Sequence, residues 1–495
     1  MLKNPSWLSF RGAAGDEESH KSFVFRARFL ASLGMTTFTE VFQHPARSKK
    51  GRAQLPLLRW AVLAIAVLPF VYYLVATFCA WEFFRRQHEV KAGVISQSRV
   101  ATEVAPGFSL ARAVPSPATA GSGQDLKGGA RSPETGESRL DFTPPVSVLK
   151  PLRGLEPEVY ENLASFCRQD YPEYEILFAV DHGRDPVIPI INKLRRDFPG
   201  VPIRLLIGSG ALGSNNKVTK LCRLLPEARH EFLVVSDSDI RVKPDYLRSV
   251  VAPFRDPAVG AVTCLYLGMT ESNLWSELED LNLTSDLLPS TLVARKLEGV
   301  KFALGATMAV TRSRLAEIGG FEALADYAAD DHELGRRIAA GGYRVELAPC
   351  SVLTFCSSAT ARQFFLHHLR WGVVTRQARP GGYAGLIITQ GLPWSLAAAA
   401  LAPSRLAAIG YLAIPLAARL AMAFTFGAYG LKDPLLHRRW WLIPLRDAVA
   451  FFIWVATFFS NRVTWQESKF YVRRGRLIPV APPPATQPKQ PGKVG

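Results

Sequence analysis

Between residues 146 and 235 the sequence alternates between short apolar runs and segments with helical spacing, and this alternation constrains the fold most strongly. Four apolar runs read as strands that are buried on both faces: VSVLK, EYEILFAV, VPIRLLIG and EFLVV. Three segments between them have the spacing of helices: EPEVYENLASFCRQD, DPVIPIINKLRRDF and KVTKLCRLLPEA. Strands that alternate with helices indicate an α/β fold with a mostly parallel, doubly covered sheet. In such a sheet, ligands bind beyond the carboxyl ends of the strands.

Long apolar segments lie on both sides of this region. Residues 60–81 are long enough to span a bilayer, which takes about 20 residues. The last third of the chain has three more candidates: 386–401, 406–431 and 442–459. Arg419 lies inside the second of these, and because an intramembrane charge is costly we expect it to face a cavity or a partner. The pattern predicts an integral, multi-pass membrane protein.

Composition divides the chain into six parts. They are an N-terminal extension (1–55), a transmembrane helix (56–86), a linker rich in Gly, Ser and Pro (87–143), an α/β domain with interfacial helices (144–380), C-terminal membrane segments (384–460) and a basic, Pro-rich tail (461–495). We expect the tail to be disordered after Pro479.

The charge distribution points to a membrane surface. The chain carries 59 Lys and Arg against 42 Asp and Glu, a formal net charge of +17. Basic residues crowd beside apolar runs, as in RSKKGR and RRGR, which is typical of segments that flank an anionic bilayer. There is no nucleic-acid motif with interleaved aromatic residues, so nucleic acid is not an expected partner. The six cysteines form no CxxC pair and are predicted to be reduced thiols.

The fourth apolar run leads directly into two aspartates, Asp237 and Asp239, in the stretch SDSDIRV. Two close carboxylates repel each other unless a cation lies beside them. A divalent metal, Mg or Mn, would remove that conflict and would take substrate phosphates as further ligands. On this short motif alone an alternative stays open, in which one aspartate caps the next helix and the other is solvated.

Other carboxylates follow predicted strands or begin a predicted helix. Asp181 comes directly after the second apolar run, and Asp185 is the runner-up for the same role. Asp330 and Asp331 begin a helix, where carboxylates suit the helix dipole. One aspartate of this pair could therefore serve only to cap the helix. In the functional interpretation, Asp331 is a general base at the rim of the site.

An arginine and a tryptophan stand in the stretch HHLRWG, before the C-terminal apolar segments. Arg370 could clamp a diphosphate, and Trp371 could stack on a sugar or wall a lipid. The alternative is an amphipathic helix on the membrane surface with the arginine at headgroup level, and both interpretations can hold together.

These motifs, in this order, resemble a membrane-bound nucleotide-sugar transferase with the A-type glycosyltransferase fold. Four stretches are similar to the ceramide glucosyltransferases (glycosyltransferase family 21) and to their bacterial relatives, the hopanoid-associated N-acetylglucosaminyl transferases: VSVLKPLRGLEPEVYENLASFCRQDYPEYEILFAV, GSNNKV, SDSDIRV and WLIPLRDAVAFFIWVATFFSNRVTW. The likeness covers about residues 146–476.

The resemblance implies a role for each matching position. Asp181 would contact the uracil or ribose of a uridine diphosphate (UDP) sugar, and Lys217 would lie near its phosphates. Asp237 would bind the nucleotide, and Asp239 would bind the metal that bridges the diphosphate. Asp331 would deprotonate the acceptor hydroxyl.

The RW pair matches the last two residues of the family's (Q/R)xxRW motif. Arg370 and Trp371 occupy those two places, while His367 stands at the first place instead of Gln or Arg. This departure puts the contact from the first position in doubt.

The implied reaction is the inverting, metal-dependent transfer of glucose or N-acetylglucosamine from a UDP-sugar to a membrane lipid hydroxyl. A ceramide glucosyltransferase is one form of this activity, and transfer of N-acetylglucosamine to a hopanoid (bacteriohopanetetrol) is another. A processive polysaccharide synthase would need more membrane spans and usually keeps Gln or Arg at position 367. Outside this chemistry, four scattered spans around a large α/β insert disfavour a transporter. The complete set of carboxylates disfavours a silent lipid-binding scaffold. The sequence chooses neither the sugar nor the lipid.

The donor is cytosolic, so residues 92–385 are expected on the cytosolic face, at the inner membrane if the source is bacterial. One span before them and three after would leave YVRRGR outside, against the positive-inside tendency. A re-entrant segment at 386–401 would remove the conflict, and its short length and Pro393 favour that arrangement.

Overall fold

The structure is a computed structural model, and it describes residues 49–91 and 142–480 apart from positions 209, 211, 272, 466 and 467. Most of the predicted N-terminal extension, most of the predicted linker and the tail that we expect to be disordered lie outside the described residues. The chain divides into two compact units, Met1–Ile65 and Ala66–Gly495. Helix α1, Lys49–Ile65, is the described part of the first unit.

The second unit is built on an eight-stranded sheet. Its strands are β1 Val146–Pro151, β2 Tyr174–Val180, β3 Ile203–Ile207, β4 Phe232–Val235, β5 Ile240–Arg241, β6 Val259–Thr270, β7 Met308–Thr311 and β8 Arg344–Cys356. They lie in the order β3-β2-β1-β4-β7-β6-β8-β5. The first four are parallel, β6 and β8 are also parallel, and β7 and β5 pair antiparallel with their neighbours. The predicted α/β fold with a mostly parallel sheet is confirmed, and the four predicted strands are its parallel half.

Helices cover both faces of this sheet. They are α3 Val159–Cys167, α4 Ile188–Asp197, α5 Asn216–Leu224, α6 Tyr246–Val251, α7 Leu274–Asn282, α8 Leu288–Glu298, α9 Arg312–Glu317, α10 Asp330–Ala340 and α11 Ala361–Ala378, after an apolar helix α2, Val67–Lys91. Ile176 and Phe178 of β2 pack with α3, α4 and α6, whereas Leu177 and Ala179 pack with α5 and α10. Side chains alternate between the faces of a strand, so a continuous apolar run serves two cores.

The C-terminal helices are α12 Pro380–Gly385, α13 Gly391–Leu401, α14 Arg405–Ala423, α15 Pro434–Arg439 and α16 Ile443–Thr457. Among the described residues, three helical segments are long and apolar enough to cross a membrane: Pro56–Glu89, Arg405–Leu431 and Pro434–Thr457. A fourth candidate, Pro380–Thr389 with Gly391–Leu401, is bent by 47° at its break.

Arg419 is buried on α14 and pairs with Asp447 of α16, at 3.0 Å and 2.8 Å. The expectation that this charge faces a partner is confirmed.

A small antiparallel sheet follows the last of these helices. Its strands are β9 Arg462–Trp465, β10 Ser468–Arg473 and β11 Arg476–Pro479. Sequence composition groups these residues with the basic, Pro-rich tail, and the structure adds that they form a folded sheet. Its buried Val463, Val472 and Leu477 pack against Val373 of α11, and this apolar contact holds the sheet on the α/β domain.

Candidate active site

The turn after β4 presents Asp237 and Asp239 at the carboxyl edge of the parallel strands. Lys150 of β1 holds this turn in place, because its buried ammonium donates to the backbone oxygen of Asp237 at 2.8 Å. The same ammonium lies 3.6 Å from the ring centroid of Phe166. Burial lowers the pKa of Lys150 to about 7, against the attraction of Asp239 and Asp237. The turn is therefore fixed by a cation that the sequence pattern does not single out.

Lys217 connects two of the predicted carboxylates. Its ammonium lies 2.7 Å from Oδ1 of Asp237 and 3.3 Å from Oδ2 of Asp330. Burial works against the charged lysine, yet Asp237 and Asp330 raise its pKa above the ordinary value. Asn215 caps α5 by accepting from the backbone of Val218 at 3.2 Å, so the start of the helix sets the position of Lys217.

Asp331 and Asp237 approach the same point. A Cβ atom at Gly305 would lie 3.0 Å from Oδ2 of Asp331 and 3.5 Å from Oδ2 of Asp237. Burial and the neighbouring Asp330 raise the pKa of Asp331 to about 6, although Lys217 opposes the shift. A carboxylate with this pKa ionises near neutral pH while remaining basic enough to accept a proton.

Asp239 acts electrostatically on a second carboxylate, that of Glu156 in the loop after β1. Thr354 of β8 donates to Oδ2 of Asp239 at 2.7 Å. Burial and then Asp237 raise the pKa of Asp239, and burial and then Asp239 raise the pKa of Glu156 to about 7. The Oε2 atom of Glu156 is buried and has no hydrogen-bond partner among the described residues. An unpaired buried oxygen beside a second carboxylate suits a cation.

The described residues contain no group of three or more His, Cys, Asp or Glu side chains that could hold a metal by themselves. A divalent metal at Asp239 would therefore need oxygen ligands from elsewhere. Mg²⁺ commonly binds through one or two carboxylates together with substrate phosphates, so the donor set of Asp239 and Glu156 fits such an ion.

Asp181 and Asp185 follow β2 but have different surroundings. Asp181 accepts from Asn216 at 2.8 Å and lies 3.0 Å from the ammonium of Lys220. Burial opposes the shift, but these contacts lower the pKa of Asp181. Asp185 is buried and accepts from the backbone of Gly154, at 3.1 Å, and of Val187, at 3.0 Å. The contacts of Asp185 hold the loops after β1 and β2 together.

Helix α11 carries the HHLRWG stretch. Nδ1 of His367 lies 2.9 Å from Oε1 of Glu279, and its ring meets Trp371 edge to face at 4.6 Å. The Arg370 guanidinium lies 5.6 Å from the ring centroid of Trp465 in β9. Burial lowers the pKa of Arg370 to about 10, although the charge of Glu279 opposes the shift. No carboxylate in the described part of the chain lies within ion-pair distance of Arg370, and Glu279 pairs with His367. A desolvated cation without an ion pair suits an anionic ligand.

The structure thus brings Lys217, Asp237, Asp330 and Asp331 together and places Asp181 beside Asn216, the residue before Lys217. Sequence reasoning missed four residues of the site: Lys150, Glu156, Asn215 and Gly305. Lys150 is the last residue of the first predicted strand and Glu156 lies in the segment that follows it, and that position was the available signal. No local signal marks Gly305.

A glycosyltransferase is the class that this fold and this edge of carboxylates and cations indicate. The chain belongs to Glycosyl transferase family 21, whose family model matches residues 123–478. The sheet order and this membership agree with the A-type glycosyltransferase fold predicted from the sequence.

The names of the curated relatives that the chain matches refer to lipids. It is 26% identical over 229 residues to ceramide glucosyltransferase 1 of Caenorhabditis elegans, covering 46% of this chain and 49% of that protein. It is 25% identical over 155 residues to a beta-monoglucosyldiacylglycerol synthase of Synechocystis sp., covering 31% of this chain and 32% of that protein. The chain spans about half the length, or less, of the curated relatives that it matches.

Among solved structures, the chain is similar to a mannosyltransferase from Pyrobaculum calidifontis in complex with GDP-Man and Mn²⁺. The likeness has a TM-score of 0.42 and 20% sequence identity, and covers 80% of this chain and 99% of that one.

Proposed function

We propose that this chain transfers glucose or N-acetylglucosamine from a UDP-sugar to the hydroxyl of a membrane lipid, in an inverting, metal-dependent reaction of the ceramide glucosyltransferase type. One observation carries the proposal: the carboxylates of Asp331 and Asp237 converge above Gly305, beside the ammonium of Lys217. A proton acceptor and a diphosphate-binding cation therefore lie next to each other at the ligand-binding edge of the sheet.

Each residue has a task in this proposal. Asp331 accepts the proton of the acceptor hydroxyl as it attacks the anomeric carbon. Lys217 and Arg370 bind the diphosphate, and Asp237 holds Lys217 in place. Asp181 accepts a hydrogen bond from the base or ribose. One displacement inverts the anomeric centre, so no carboxylate acts as a nucleophile.

Asp239, with Glu156 beside it, would hold a Mg²⁺ or Mn²⁺ ion together with the donor phosphates. A bound ion would neutralise the negative charge that develops on the departing diphosphate. Thr354 orients Asp239 for this task through its hydrogen bond of 2.7 Å.

The C-terminal sheet supports a multi-pass arrangement with the α/β domain on the cytosolic face. The backbone of Leu477 donates to Asp326 at 2.7 Å, and the backbone of Ala328 donates to Gly475 at 2.9 Å. The sheet is therefore on the same side of the membrane as the α/β domain, and the chain crosses an even number of times between them. Arg405–Leu431 and Pro434–Thr457 supply two crossings, which makes the bent pair before them re-entrant or interfacial. This arrangement also keeps the basic YVRRGR stretch inside.

The test is a transfer assay on membranes that contain the chain. Labelled UDP-glucose and UDP-N-acetylglucosamine are supplied separately, each with ceramide, bacteriohopanetetrol or diacylglycerol, with and without chelator. We expect product from one donor and one class of lipid, and its loss with chelator.

A paired substitution tests the carrying observation. Gly305→Ala places a methyl group against both carboxylates and should lower the rate about 10- to 100-fold, because small displacements of reacting groups cost that much. The matched control is Gly200→Ala, where a Cβ atom meets nothing within 4 Å. Equal rates for the two variants, or absence of product from every pair of substrates with the wild-type protein, would contradict the proposal.

A further inference from the structure

A pocket of about 280 Å³ opens where the C-terminal sheet meets the α/β domain. Arg153, Ser214 and Asn216 line it on the domain side, and Trp465 and Phe470 line it on the sheet side. The pocket therefore combines polar groups on one wall with two aromatic rings on the other, a combination that suits a flat, polar ligand.

The pocket adjoins the proposed donor site at both of its ends. Asn216 lines the pocket and donates to Asp181 at 2.8 Å, and the next residue, Lys217, contacts Asp237 at 2.7 Å. Trp465 lines the pocket and lies 5.6 Å from the Arg370 guanidinium. A ligand whose phosphates meet Lys217 and Arg370 would therefore carry its next group into this pocket.

The aromatic wall is held by elements that also hold the site. Gln377 of α11, the helix of Arg370, donates to Asn461 at 3.0 Å and accepts from the backbone of Arg474 at 3.1 Å. The sheet also pairs with the backbone of residues 326–328, directly before Asp330. Trp465 is consequently fixed relative to the proposed base and the proposed diphosphate cation.

We propose that Trp465, assisted by Phe470, is the aromatic face on which the nucleobase of the donor nucleotide stacks. The C-terminal sheet is then a part of the donor-binding site. This assignment rests on the proposed function, since it names which residues of the chain bind the base of the UDP-sugar. Stacking of a base on an aromatic side chain is sensitive to loss of the ring and tolerant of exchange between rings.

Calorimetric titration of the purified, full-length chain in detergent tests the assignment. UDP and inorganic pyrophosphate are titrated separately in the presence of Mn²⁺. Trp465→Leu should raise the dissociation constant of UDP about tenfold or more and leave that of pyrophosphate within about twofold. Trp465→Phe should restore most of the UDP affinity because it restores an aromatic ring. Tyr471→Leu is the matched control, since it removes a ring from the same sheet outside the pocket.

The two ligands separate recognition from folding. If Trp465→Leu weakens UDP and pyrophosphate equally, or if Trp465→Phe binds UDP as weakly as Trp465→Leu, the residue is structural and the assignment is wrong. If Trp465→Leu does not fold, the ratio of UDP affinity to pyrophosphate affinity is measured for Phe470→Leu and Trp465→Phe. A ratio that is unchanged from wild type in both variants overturns the assignment. If the wild-type protein transfers sugar and Trp465→Leu binds UDP normally, only this assignment is refuted. If the wild-type protein neither binds UDP nor forms product, both the proposed function and this assignment are refuted.

Discussion

Within the described residues, the candidate active site and the C-terminal helices each hold a cluster of charged side chains, and the two clusters differ in their balance of charge. In the candidate active site, Lys217 lies among Asp237, Asp330 and Asp331, and Asp239 acts electrostatically on Glu156. Carboxylates therefore outnumber the ammonium groups that contact them. Between the C-terminal helices, two arginines and two aspartates are balanced. Arg419 and Arg446 both pair with Asp447, at 2.8 Å each, and Arg446 also pairs with Asp286.

This difference in charge balance distinguishes a cluster that binds a ligand from a cluster that has a structural role. Neutral partners also contact the cluster between the helices, since Arg419 donates to Ser285 at 3.1 Å. A cluster whose opposite charges are balanced in an apolar environment holds its helices in one arrangement. In the unbalanced cluster, burial and then the neighbouring carboxylates raise the pKa of Asp331, Asp239 and Glu156, which favours the arrival of a cation or a proton.

The substitution Asp331→Asn is expected to have the largest effect on the transfer rate, and it tests the role of the unbalanced cluster. Removal of a general base should lower the transfer rate about 10²- to 10⁴-fold, whereas the melting temperature should not fall, because the change relieves carboxylate repulsion. The rate is measured with labelled donor under saturating acceptor.

Asp330→Asn is the matched variant for the same comparison. Asp330 accepts from Asn215 at 3.3 Å, so the amide keeps part of its contacts and the rate should fall far less. A larger loss in Asp330→Asn than in Asp331→Asn would reverse the assignment of the base.

In the balanced cluster, Arg419→Met should act on stability. It leaves Asp447 with only one of its two arginines, and breaking a buried ion pair costs about 3–5 kcal/mol. The melting temperature in detergent should fall, and the double variant Arg419→Met/Asp447→Leu should recover part of the loss. Arg438→Met, at an exposed position on α15, is the control. A single variant that melts like wild type would show that this cluster is not structural.

The pH dependence of kcat/KM sharpens the view of the active site. Burial and Asp330 raise the pKa of Asp331 to about 6, and a general base works only when ionised. The value of kcat/KM should therefore be constant above about pH 7 and should fall towards tenfold per pH unit below about pH 6. In Asp330→Asn the acid limb should move to lower pH, because one raising charge is gone. A limb that stays in place in that variant would exclude Asp331 as the titrating base.

The smallest effect is expected at His367. Gln stands at this place in the related motif and could still donate to Glu279, so His367→Gln should keep kcat within about threefold of wild type. His367→Leu removes the hydrogen bond and leaves Glu279 buried without it, and it should lower kcat about tenfold. The two variants are compared in initial rates at saturating donor, and equal rates would mean that the contact with Glu279 is unimportant.

Local patterns in the sequence were enough for the parallel half of the sheet. Burial on both faces and helical spacing act over a few residues, so β1 to β4 and the helices between them follow from the chain alone. The same reasoning placed Asp181, Asp237 and Asp239 at one edge, because the ends of parallel strands meet there. The strands β5 to β8 were not predicted, since their pairing depends on distant segments.

The sequence by itself determined the α/β fold, the apolar segments and the identity of the carboxylates. Only the tertiary structure decided how those carboxylates are used. Lys150 lies under the turn of Asp237, Gly305 lies under Asp331, and Trp465 reaches a pocket beside Asn216. The physical reason is that strand and helix periodicity reports burial of neighbours along the chain. The balance of charge at a buried site depends instead on groups far apart in sequence, which only folding brings within a few ångströms of each other.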